Sequence, residues 1–137
     1  MKVDDDDLMR PAHSLVVKKQ WVEAWGAVNL ALNEYPDSPE GLYLAGVCLR
    51  AQGNLALALP VLGKAVATEQ RQPNIGMNYG ATLHDLHRYE EAIRTFSIVH
   101  GMLPNEAMPP ANIAASHLQM GKWHDALNWT AKAFKAD

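Results

Sequence analysis

The chain has 137 residues, 48% of them apolar and 20% charged, with a formal net charge of −3 at neutral pH. That length suits one globular domain with a continuous core. The absence of a basic field argues against nucleic acid as the main partner, and no apolar run approaches the roughly 20 residues needed to span a bilayer. The single cysteine, Cys48, excludes an internal disulfide, and the acidic start MKVDDDDLMR is unlike a signal peptide, so the composition predicts a cytoplasmic protein with no membrane association.

No stretch alternates with a period of two, and alanine and leucine abound, so the expected class is all-α. A period of 34 organises the whole sequence. Alanine falls on alanine at Ala24, Ala58, Ala92 and Ala126. Three residues earlier stands a large side chain (Trp21, Leu55, Tyr89, Trp123), and ten earlier a small one (Ser14, Cys48, Thr82, Ser116). Seven residues later come Ala31, Ala65, Val99 and Ala133. Such self-similarity is the signature of stacked supersecondary units.

After a tail at 1–4, the first copy covers 5–38. Its first helix is expected to begin near Asp7, because Pro11 is tolerated only early in a helix, and Pro36 closes its second helix. The second copy, 39–72, carries Gly53 in the link between helices and Pro60 inside the second helix, which Pro60 is expected to kink. In the third, 73–106, Tyr79, Thr82, Leu83 and Leu86 share one helical face, and Ala92, Phe96 and Val99 mark the stripe of the next helix. In the fourth, 107–137, Pro109 and Pro110 should shorten the first helix to start at Pro110, and Gly121 occupies the link.

The third copy, with Tyr79-Gly80, Leu83, Ala92, Phe96 and Pro104, resembles a tetratricopeptide repeat, and the second does so through Leu42, Ala45-Gly46, Leu49, Gly53, Ala58 and Leu62. The resemblance extends over about residues 5–137. It implies a single domain that is a right-handed superhelical α-solenoid of four antiparallel helix pairs. It also implies a scaffold that binds a protein or peptide in a concave groove. Two rival roles remain open: an accessory domain of a larger enzyme such as a glycosyltransferase, or an oligomeric assembly or chaperone-type protein.

The segment HDLHRYEE invites a metal-site reading. In register, however, His87 aligns with Lys19, Gly53 and Gly121 in the turn, where histidine tolerates a left-handed backbone. Glu90 and Glu91 then open the next helix, where the dipole favours carboxylates. The candidate ligands straddle two elements, so no metal is expected. Cys48 belongs to the small-residue column and reads as a packed thiol. Trp21, Tyr89 and Trp123 read as inter-helix packing, His100 and His117 as core histidines. No phosphate loop or paired-carboxylate pattern is visible, and the expectation is no enzyme and no cofactor.

The family's groove is lined by the first helix of each copy. By that resemblance it would include Met9, Tyr43, Leu44 and Arg50, then Asn74, Met77, Asn78, His84 and Asp85, and finally Asn112. Asn78 and Asn112 are one period apart, like the asparagine ladder in the repeat arrays of O-GlcNAc transferases. An asparagine amide both donates and accepts, so a stack of them can hold a peptide main chain independent of its sequence. The competing reading is that they bond between neighbouring helices. A last surface comes from the final helix, where Leu127 and Phe134, with Trp129 nearby, are expected to leave an open apolar end. Either more chain covers that end, or it meets a second copy in a symmetric homodimer.

Overall fold

The computed structural model describes residues 5–69 and 71–136. They form eight helices: α1 (Asp5–Val17), α2 (Trp21–Glu34), α3 (Pro39–Ala51), α4 (Leu55–Thr68), α5 (Pro73–Asp85), α6 (Tyr89–Met102), α7 (Met108–Gln119) and α8 (Trp123–Lys135). No strand occurs among the described residues. The helices fall into two compact units, α1–α4 and α5–α8, with the division after residue 70.

Four equivalent turns close the helix pairs. Lys19, Gly53, His87 and Gly121 have φ of 59°, 79°, 64° and 74°. In each turn the following residue donates its N–H to the carbonyl five residues back: Gln20 to Leu15, Asn54 to Leu49, Arg88 to Leu83 and Lys122 to His117, at 2.8–2.9 Å. The left-handed residue itself donates to the carbonyl three back, at 2.9–3.0 Å. This pair of bonds is the Schellman motif, which satisfies the last carbonyls of the first helix and reverses the chain. Two of the four positions hold non-glycine residues, as the alignment of His87 with the two glycines requires.

In the first unit, Met9, Ala12, Val28, Ala31, Leu44 and Ala45 form one buried cluster, with Val16, Trp25, Tyr43 and Val61 packed against it. Helix α3 therefore lies across the α1/α2 pair and fills the cleft between them with Leu44 and Ala45. Helix α4 closes against α3, and Leu62 occupies the space left by Gly46. In the second unit α6 packs on α5 through Phe96 against Gly80 and Val99 against Gly76. Helix α7 then covers that pair and buries Pro109, Pro110, Ile113, Ala114 and Ser116. The alanine column is buried throughout, with Ala24, Ala58 and Ala92 at 0% exposure.

Two of the proline-bearing helices start earlier than expected. Helix α1 begins at Asp5, two residues before the predicted start, so Pro11 stands inside it. Helix α4 also contains its proline, Pro60. Both prolines are exposed, as are Asp7 and Ala56 four residues earlier, so the carbonyls that lose a bond have water available. Helix α7 starts at Met108, ahead of the predicted Pro110. Its prolines are second and third in the helix, where the N–H groups have no intrahelical acceptor to lose.

Candidate partner-binding surfaces

On α5 the glycines Gly76 and Gly80 face α6, and the helical repeat turns Asn74, Asn78 and Asp85 to the opposite side. Thr82 is fully buried, and its hydroxyl donates to the Asn78 carbonyl at 2.7 Å. The Asn78 amide donates to the carbonyl of Asn74 at 2.9 Å, within its own helix. Asn78 and Asn112 are both half-buried, on neighbouring first helices of the second unit. The bond Asn78 makes is therefore not the inter-helix bond of the competing reading. One N–H and the carbonyl oxygen of its amide remain to be offered outward.

His84 joins the two first helices, its Nδ1 sharing a hydrogen bond of 2.8 Å with the hydroxyl of buried Ser116 on α7. Tyr89 stands edge-on to both imidazoles, with ring centroids 5.2 Å from His84 and 5.7 Å from His87. The Tyr89 hydroxyl is hydrogen-bonded to His87 Nδ1. Both histidines of the HDLHRYEE segment are thus engaged in holding the α5–α6 turn and the α5–α7 contact. Among the described residues no group of three histidine, cysteine or acidic side chains could hold a metal ion.

The remaining groove residues separate. Tyr43 and Arg50 belong to α3 of the first unit, and Met77 is half-buried on α5. Met9 and Leu44, expected on the groove, are instead core residues at 2% and 1% exposure. The reason is local: Leu44 is the side chain with which α3 fills the α1/α2 cleft. Cys48 is fully buried, and burial pushes its thiol pKa up, so a reactive thiolate is disfavoured there.

A second surface lies on α7 and α8. Of the column that α2, α4 and α6 bury at three positions each, α8 buries Ala126 alone. Trp123 and Leu127 are each 67% exposed and Phe134 is 90% exposed. Together with Ala111, Ala114, Leu118 and Thr130, Trp123 and Leu127 line an apolar cleft of about 420 Å³. Two expectations change here. Trp129 is not part of the stripe; two residues from Leu127, it points away and packs edge-on against His100 of α6 at 5.7 Å, with Lys132 Nζ 4.0 Å above its ring. Trp123, expected to pack between helices like Trp21 and Tyr89, is exposed and forms a wall of the cleft. Its place in the repeat was legible in the sequence; that nothing among the described residues covers it was not.

No family profile and no curated protein matches the chain. Solved structures do. A MamA structure designated AMB-1 superposes with a TM-score of 0.85 at 28% identity, covering 98% of this chain and 79% of that one. YrrB, described as a TPR protein with an unusual peptide-binding site, gives 0.87 at 23% identity, covering 95% and 67%. A further MamA structure gives 0.89 at 14% identity, covering 96% and 72%. The fold is thus an all-α, tetratricopeptide-like helical repeat. No helix among the described residues is long and apolar enough to cross a membrane.

Proposed function

We propose that this protein is an interaction module that binds an extended peptide segment of a partner protein along the first helices of its second unit. The observation that carries this reading is the His84–Ser116 bond, which fixes α5 against α7 and so sets Asn78 and Asn112 on neighbouring helices one repeat apart. Each amide can donate to a peptide carbonyl and accept from a peptide N–H, and neither choice depends on the partner's side chains. Asn74 and Met77 flank Asn78, the first polar and the second adaptable; Asp85 and His84 lie one to two turns further on. YrrB, a repeat protein of similar fold with a peptide-binding site of its own, supports the same class of activity here. Tyr43 and Arg50 belong to α3 of the first unit and are not needed for this site. The proposed role requires no cofactor and no catalysis, and the cytoplasm suits its single buried thiol.

The test is affinity capture with mass spectrometry, comparing the unaltered chain with an Asn78→Ala, Asn112→Ala double variant of equal helicity. A partner retained by the first and lost by the second supports the asparagine site. A partner held equally by both moves binding elsewhere on the molecule.

A further inference from the structure

The exposed face of α2 differs from the same face of the other second helices. Val22 is 75% exposed and Leu30 74%, and a Cβ built on exposed Gly26 between them would meet nothing within 4 Å. The three residues stand four apart, so they form one ridge along the helix, and that ridge points to water. In the other copies the equivalent positions carry charge: Lys64 in α4, Glu90 and Arg94 in α6, and Lys132 in α8. An unbroken apolar ridge at these positions is therefore a property of α2 and not of the repeat. Around it the charges are idle. Among the described residues no ion pair within the chain uses Lys18, Lys19, Glu23 or Glu34.

We infer that this face is the contact of a homodimer, in which two copies of α2 cross antiparallel about a two-fold axis at Gly26. The face is complementary to itself. Reversal about Gly26 sets Leu30 of each copy beside Val22 of the other, so each apolar side chain is covered by its counterpart. Gly26, lacking a side chain, lets the two helices approach closely at the crossing. The sequence is also matched in charge about the same point. Lys18 and Glu34 lie equally far to either side of Gly26, as do Lys19 and Asn33, and Glu23 and Asn29. Each lysine therefore comes opposite a carboxylate or an amide, and no charge comes opposite its like. An isologous contact requires one patch to satisfy itself, and this balance about Gly26 is what selects a second copy as the occupant. One helix and its flanking turns bury less than the roughly 800 Å² per partner of a standard complex, so the dimer should dissociate in the micromolar range or above. The contact uses no residue of the asparagine site and is independent of the proposed function.

Sedimentation velocity of the full chain from about 10 µM to about 1 mM should show monomer giving way to dimer. Leu30→Glu, at an exposed position that leaves helicity intact, should keep the chain monomeric throughout. Gly26→Leu should weaken the dimer at least about tenfold, although the monomer has room for the side chain. Glu34→Lys should weaken it by about two- to fivefold at low salt, and adding Lys18→Glu to the same chain should restore it. Cross-linking reads the axis directly. On a Cys48→Ala background with diamide as oxidant, Gly26→Cys should give a disulfide-linked dimer, because residues on the axis meet their own copies. Asn128→Cys, the equivalent position on α8, should not. The inference is overturned if the chain stays monomeric to about 1 mM, because the face then holds no second copy. It is equally overturned if Gly26→Cys cross-links no faster than Asn128→Cys, or if a dimer survives Leu30→Glu. A dimer that survives Leu30→Glu but is dissolved by Leu127→Glu would place the contact on α8 instead.

Discussion

At the scale of single residues, backbone conformation and close packing decide what each position tolerates. Lys19 and Gly53 occupy the same turn position with φ of 59° and 79°. A side chain there costs about 1 kcal/mol relative to glycine, so Lys19→Gly should stabilise the chain by about 0.5–1 kcal/mol and Gly53→Ala destabilise it by a similar amount, read as shifts in urea midpoint. His87→Gly should gain less, because the substitution gives up the bond to Tyr89. Gly80 presents the opposite case. A Cβ there would lie 2.7 Å from Phe96 Cε1, and Phe96 is 1% exposed with no room to yield. Overpacking outweighs the helix propensity of alanine, so Gly80→Ala should cost about 1–2 kcal/mol. Gly26→Ala, with nothing within 4 Å, should instead stabilise, by about 0.5–1 kcal/mol. Cys48 carries a pH prediction. Its thiol pKa is raised in the folded state by burial, so its contribution to stability is present below the unfolded value of about 8.5 and is lost as pH rises through the folded value. Alkylation of native Cys48 at pH 8.5 should accordingly run at least about tenfold slower than in denaturant.

At the scale of elements, helix ends were more legible than helix interiors. The Schellman turns follow from a period of 34 and two glycines, because the same backbone reversal must recur wherever the register does. The starts of α1 and α7 misled, since what a proline costs a helix depends on its place in it and on whether the freed carbonyl reaches water, and exposure is a tertiary property. Helix α3 has the best-defined start. Ser38 is 5% exposed, and its hydroxyl accepts from the Gly41 N–H at 3.0 Å. Ser38→Ala should cost about 1 kcal/mol in thermal or urea denaturation, whereas a polar substitution that keeps the cap, Ser38→Asp, should cost less. A loss under about 0.3 kcal/mol for Ser38→Ala would show that Pro39 alone sets the start of the helix.

At the scale of the whole molecule, each unit contains two helix pairs, and its contacts lie mostly between neighbouring helices. Stability in such an array is close to a sum over neighbours. A fragment comprising residues 71–137 should therefore keep a helical circular dichroism spectrum and melt cooperatively, though at lower temperature than the full chain; a disordered spectrum would refute this. The repeat, the all-α class, the four turns and the small alanine column are all readable from the amino-acid order. Periodicity encodes these because every copy must solve the same local packing problem. Which of the repeated positions are covered depends instead on how the helices pack. Leu44 is core because a helix pair lies beneath it, whereas Asn78, in the same column, is half-buried and bonded to its own helix. Trp21 is partly covered, yet Trp123, three repeats on, is a wall of an open cleft. Burial is a property of neighbours, and a column of equivalent residues does not say which neighbours each copy has.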